Sequence, residues 1–173
     1  MNKKELIELL KECNAIKFGR FVLTSGAVSD YYIDIKKASS KPEILKKIAE
    51  EMAEYTGGYD FIAGMELGAV PLVVALSLHT NIPYVIVRKD KREHGTGKEI
   101  EGEDISNKRV LVIEDVTTSG NSVVKTINTL RRKKGLVDEV ITVVDRESGA
   151  EEKLKELDVS FIPLISSSDF LKK

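Results

Sequence analysis

The chain has 173 residues, 42% apolar and 32% charged, the make-up of one globular domain that can bury its own core without disulfides or metal. Its single cysteine, Cys13, excludes an internal disulfide and any cysteine-built zinc or iron–sulfur cage. The net charge of −1, from 27 basic and 28 acidic residues, does not suit a protein that coats nucleic acid.

The N-terminus mixes charges into its apolar positions, unlike a signal peptide, so the cytoplasm is the expected compartment. Leu6, Leu9, Leu10 and Cys13 then mark one helical face. Residues 18–23 and 29–35 read as two short strands around a loop. A helix opens near Pro42, buries Ile44, Leu45, Ile48, Ala49, Met52 and Tyr55, and stops at Gly57 and Gly58. Residues 59–64 read as a strand entering a glycine loop. Residues 70–78 form an apolar helix, within a run of 69–78 that is broken by Pro71 and Ser77 and is far short of the ~18 residues of a membrane span. Strands follow at 83–87 and 109–113, the second apolar from Val110 on, as suits a parallel sheet covered on both faces. Val123, Val124, Ile127 and Leu130 line a helix that Gly135 can end. A strand at 137–144, a short helix at 151–157 and an extended piece at 159–165 complete the chain. This alternation predicts an α/β, doubly wound sheet. There is no repeat, low-complexity tract or linker.

Residues 88–104, R-K-D-K-R-E-H-G-T-G-K-E-I-E-G-E-D, interrupt the pattern with a long polar stretch. They read as a mobile functional loop or a disordered insertion. The G-T-G-K within it lacks the glycine spacing of a P-loop.

Residues 110–122, V-L-V-I-E-D-V-T-T-S-G-N-S, carry the most chemistry. A buried strand ends in Glu114 and Asp115. A turn of Thr117, Thr118, Ser119 and Gly120 leads into a helix, giving hydroxyls and unpaired amides at the sheet's carboxyl edge, where an anion can bind. Carboxylates repel phosphate, so they should face hydroxyl donors. Acids beside a phosphate cradle fit a ribose 5-phosphate. The plainer alternative is a capped helix after a strand with two exposed acids.

E-D-V-T-T-S-G-N-S resembles the phosphoribosyl diphosphate (PRPP) motif of the type I phosphoribosyltransferases. The resemblance runs from Phe18 to about Gly149. It implies a mostly parallel sheet flanked by helices, with a small N-terminal hood: residues 1–173 as one domain, the hood at about 1–40 plus the C-terminal segment, and the core at about 41–150. In that family the two acids hold the ribose 2′ and 3′ hydroxyls and the loop wraps the 5-phosphate. PRPP binding thus falls to Glu114, Asp115, Val116, Thr117, Thr118, Ser119, Gly120, Asn121 and Ser122. R-K-D-K-R-E-H-G resembles the lid of the orotate phosphoribosyltransferases, which puts Arg88, Lys89, Arg92 and His94 on PRPP and makes Lys89, Arg92, His94 and Asp115 the catalytic set. Cations brought in by a loop suit a departing diphosphate. Where the family commonly has lysine, Arg92 keeps the charge but does not readily give up a proton, so electrostatic stabilisation is expected there.

The segment 64–71, G-M-E-L-G-A-V-P, matches the family's pyrophosphate loop, which makes Glu66, Leu67, Gly68 and Ala69 its backbone donors. V-V-D-R-E-S-G-A places Arg146 where the family contacts orotate. A guanidinium fork matches the substrate's carboxylate, with Thr118 beside the base; the plainer reading pairs Arg146 with Glu147 on the surface. Thr24 stands where many members have lysine, so no lysine contact is expected there. Ser25 and Gly26 line the base pocket, Tyr31 and Tyr32 form hood core, and His79 and Cys13 are structural. The resemblance further implies Mg²⁺ bound mainly through PRPP with no metal ligands from protein side chains, no nucleic-acid or membrane partner, and a homodimer whose lid residues act across the interface. A phosphoribosyltransferase for adenine or xanthine would keep the PRPP loop without Arg146 facing a carboxylate. A PRPP-sensing transcription regulator would need an added helix-turn-helix and a basic face, and the sequence has neither.

Overall fold

A computed structural model describes residues 1–22, 26, 28–89 and 98–171. The elements are α1 (Lys3–Glu12), β1 (Ile16–Val22), β2 (Val28–Ile33), α2 (Ile35–Ser39), α3 (Pro42–Ala53), β3 (Phe61–Met65), α4 (Val70–Thr80), β4 (Tyr84–Val87), β5 (Ile100–Glu101), β6 (Val110–Thr117), α5 (Asn121–Arg132), β7 (Glu139–Asp145), α6 (Ala150–Lys155), β8 (Ser160–Ser166) and α7 (Ser167–Leu171). β1 and β2 pair antiparallel as a separate ribbon. The other strands form a six-stranded sheet in the order β5-β4-β3-β6-β7-β8. All of its pairings are parallel except β4 with β5.

Period-two alternation explains why residues 110–113 of β6 are all apolar. Leu111 and Ile113 enter one core with α1, α3 and α4, while Val110 and Val112 enter a second with α5 and α6. The helix starts follow local chemistry. The Asn2 side chain accepts from the Glu5 amide at 2.9 Å and caps α1, and Pro42 opens α3 at a first-turn position. No helix among the described residues is long and apolar enough to cross a membrane.

Several details differ from the sequence reading. Tyr55 lies past the end of α3 and is exposed rather than buried. α1 buries Ile7 rather than Leu9 beside Leu6 and Leu10. Lys134, not Gly135, takes the left-handed turn after α5, and Gly135 is needed for room, since a Cβ there would meet Ile105 Cδ1 at 2.9 Å. Within the polar stretch 88–104, Ile100 pairs with Val87 and Glu101 with Ile86, which makes a two-residue antiparallel edge strand. Tyr32 is exposed rather than hood core, whereas Tyr31 packs edge-on against Phe170 with centroids 5.7 Å apart.

Candidate active site

The parallel strands β3, β4, β6 and β7 all end at the same sheet edge, where open α/β sheets take ligands. β6 does not stop before its acids. It runs on through Glu114 and Asp115 to Thr117, paired with β7 as far as Thr117 with Asp145. Alternation therefore sends the two carboxylates to opposite faces, each continuing the row of core side chains beneath it.

Glu114 follows the α5 face and is only 6% exposed. Its Oε1 accepts the Asp115 amide at 3.1 Å. Burial, then the neighbouring charge of Asp115, pushes its pKa up to about 8. Asp115 follows the α2–α4 face. Its Oδ1 accepts the Val116 amide at 2.8 Å, and its Oδ2 lies 4.0 Å from Lys36 Nζ.

Beyond Thr117 the chain turns through Thr118, Ser119 and Gly120. Gly120, at φ 77°, is the N-cap of α5, and a Cβ there would meet Ala150 Cα at 3.1 Å. No side chain caps α5, so its first amides are left for a ligand. A cavity of about 130 Å³ lies here, lined by Glu114 and residues 116–123. Thr117 Oγ1 is buried and has no hydrogen-bond partner among the described residues. Ser122 Oγ donates to Met65 Sδ at 3.4 Å, and the Asn121 side chain is held by Lys153 at 2.6 Å.

The loop 66–69 joins β3 to α4, with a cis peptide between Glu66 and Leu67. The Glu66 amide donates to Val87 O at 3.0 Å. The Leu67, Gly68 and Ala69 amides have no backbone acceptor among the described residues. Gly68 sits directly against the Asp115 carboxylate: a Cβ built on it would lie 2.7 Å from even the farther carboxylate oxygen.

From β4, Arg88 turns back into the sheet edge. Its amide donates to Glu99 O at 2.9 Å and its Nε to Glu101 Oε1 at 2.7 Å. The Lys89 amide donates to Glu66 Oε1 at 3.1 Å, and its carbonyl accepts from Lys125 Nζ. The start of this segment is thus tied to the 66–69 loop and to α5. Arg92 and His94 lie outside the described residues, as do Thr24 and Ser25.

Arg146 follows β7. Its amide donates to Thr117 O at 2.8 Å, which sets it beside the exposed Thr118. The guanidinium stacks 4.6 Å above the Tyr31 ring and donates to Ser29 Oγ at 3.2 Å. It is not paired with Glu147, whose carboxylate instead accepts from the Ser167 hydroxyl at 2.7 Å and the Ser168 amide at 2.6 Å. Sequence reasoning missed Ser29 and Lys36, which reach the site from distant segments, and Lys125, which lies on α5 just past the motif.

The described edge therefore offers a capless helix start behind hydroxyls, carboxylates at a strand end, a loop of free amides and a guanidinium on an aromatic ring. Known proteins are similar to this chain in sequence and fold. A family model described as phosphoribosyl transferase domain matches residues 33–169. The orotate phosphoribosyltransferase of Methanosarcina acetivorans is 50% identical, covering 98% of this chain and 92% of its own. The crystal structure of orotate phosphoribosyltransferase from Aeropyrum pernix superposes with a TM-score of 0.87 at 30% identity, over 96% of each chain. That of the Mycobacterium tuberculosis enzyme in complex with PRPP superposes at 0.80 with 30% identity, over 96% of this chain and 97% of that one. The chain belongs to the phosphoribosyltransferase family, among its orotate phosphoribosyltransferases.

Proposed function

We infer that this chain joins N1 of orotate to C1 of PRPP, releasing pyrophosphate and giving orotidine 5′-monophosphate for UMP synthesis. One observation carries the reading: the Arg146 amide bonds Thr117 O at 2.8 Å, so a carboxylate-matching guanidinium stands beside a phosphate cradle. The loop 117–120 and the start of α5 take the 5-phosphate through amides and hydroxyls. Asp115 and Glu114 take the ribose diol. The amides of Leu67, Gly68 and Ala69 face the diphosphate. Glu66, whose amide and carboxylate are both engaged, anchors the segment that bears Lys89, Arg92 and His94, and these meet the departing charge. Arg146 holds the carboxylate of orotate, with Thr118 at the base. No side-chain nucleophile is assigned, because a dissociative transition state needs none.

Mg²⁺ fits this donor set, since the carboxylates and hydroxyls at the strand ends are hard oxygens. It would be carried mainly by PRPP, beside Glu114 and Asp115, and would neutralise leaving-group charge. The reading also carries a homodimer, with Lys89 and Arg92 serving the partner's site, and a cytoplasmic setting. The test mixes the protein with PRPP, Mg²⁺ and orotate, adenine or xanthine, each alone, and follows base and pyrophosphate. Loss of orotate absorbance with stoichiometric pyrophosphate is expected. Turnover of a purine instead refutes the assignment.

A further inference from the structure

The interior edge of the site holds a cation that the reaction as described does not use. Lys36 is the second residue of α2. Its Nζ lies 3.4 Å from Asp34 Oδ1 and 4.0 Å from Asp115 Oδ2, with the side chain 54% exposed. Neither distance is a tight hydrogen bond, so the ammonium is shared between two carboxylates rather than fixed to one. Asp34 Oδ1 is buried and has no hydrogen-bond partner among the described residues. Asp115 Oδ1 is already engaged by the Val116 amide, which leaves Oδ2 toward Lys36.

Gly68 packs against the same carboxylate. Its missing side chain is required by Asp115, so the loop 66–69 cannot bring a cation of its own to this point. Several described cations around the site have partners elsewhere: Arg88 on Glu101, Lys125 on the Lys89 carbonyl, Lys153 on Asn121, and Arg146 on Ser29 and Tyr31. A diphosphate lying on the amides of 67–69 would put concentrated negative charge next to Asp115, and repulsion between them would weaken binding unless a cation came between.

We propose that Lys36 is that cation: on PRPP binding its ammonium leaves Asp34 and Asp115 for the diphosphate oxygens, which frees Asp115 for the ribose hydroxyls. The proposal rests on the phosphoribosyl-transfer reading and adds a binding residue to it. Lys36 lies ahead of the PRPP motif, on a five-residue helix, and acts on the diphosphate rather than on the base.

Lys36→Ala, Lys36→Gln and Lys36→Arg test it. For Ala and Gln, KM for PRPP and KM for pyrophosphate in the reverse reaction should each rise about 10- to 100-fold, the loss of one charge-assisted contact. KM for orotate and the melting temperature should stay near wild type, and Arg should restore most of the loss. Calorimetric binding of PRPP and of pyrophosphate, with no base present, gives the same comparison without turnover. If the wild type binds PRPP in a Lys36-dependent way yet ignores orotate, Lys36 stands and the base assignment falls. Unchanged PRPP and pyrophosphate constants in Lys36→Ala overturn the proposal. So does a loss spread equally over all substrates with a lowered melting temperature, which would make Lys36 a structural counter-ion.

Discussion

Replacing Gly68 with alanine tests the geometry of the site most directly. The added Cβ would fall 2.7 Å from Asp115 Oδ1 and closer still to the rest of that carboxylate. Ordinary contacts to carbon lie at about 3.5 Å, so something must yield by roughly 1 Å. The Asp115 carboxylate cannot swing away freely, because its Oδ1 accepts the Val116 amide at 2.8 Å, a charge-assisted bond of about 1.5–3 kcal/mol. On the other side, Ala69 is fully buried, so the loop is also confined. Overpacking of this kind costs about 1–3 kcal/mol of stability, or roughly 2–8 °C of melting temperature. Displacement of a substrate-positioning carboxylate by ~1 Å costs on the order of 100-fold in rate. Initial-rate kinetics should show kcat/KM for PRPP lowered by about that factor and KM for orotate changed far less. Gly57→Ala is the control, since a Cβ there meets nothing within 4 Å; it should be neutral. Wild-type kinetics in Gly68→Ala would mean that the loop does not rest on Asp115 in the working enzyme.

Other outcomes follow from the same contacts. Arg146→Ala should raise KM for orotate by about 10- to 100-fold, the loss of a charge-assisted fork, while KM for PRPP moves much less; equal weakening of both substrates would make Arg146 structural. Glu114 sets a pH dependence: its folded pKa is raised to about 8, so the folded state holds a proton that the unfolded state has lost. Its contribution to stability is fully present below its ordinary value of 4.5 and is lost as pH rises toward and through about 8. Melting temperature against pH without ligands should fall over that window, and Glu114→Gln should flatten the fall; identical slopes refute it. Refolding Asp115→Ala together with the double variant Lys89→Ala, Arg92→Ala should return about a quarter of wild-type activity if those cations serve the partner's site, because half the dimers are mixed and each holds one intact site. Activity near zero, or a monomer by light scattering, refutes that arrangement.

The parts of this protein that could be read from sequence are those whose signal is local. β6, the turn and α5 are contiguous, and their order of apolar strand, acids, hydroxyls, glycine and helix is itself the site. Even there, the sequence reading ended the strand at Glu114 and Asp115, because acids look like a strand end. Pairing of Glu114 with Thr142 and of Thr117 with Asp145 carries the ladder through them. β5 was not legible, since two residues, Ile100 and Glu101, show no periodicity. α2 was hidden for the same reason, and Lys36 with it. Arg146 could be picked out by its place after a strand, but its supports could not. Ser29 and Tyr31 belong to a ribbon outside the main sheet, and only the folded chain brings them under the guanidinium.

That ribbon gives the two halves of the site different histories in the chain. The phosphate half is one strand, one turn and one helix. The base half joins Arg146 to Ser29 across 117 positions, and α7 is tied back to α1 by Lys3 and Asp169 across 166. Closing loops of that length costs chain entropy before any contact rewards it, so the phosphate half assembles first and the base half last. The same order governs opening of the folded molecule: excursions that loosen α7 and the ribbon release Arg146 from Ser29 and Tyr31 while β6 and α5 remain closed. With Arg146 on the base and the 117–120 turn on the phosphate, as proposed, thermal or chemical stress should cost the enzyme its choice of base before its hold on the sugar phosphate.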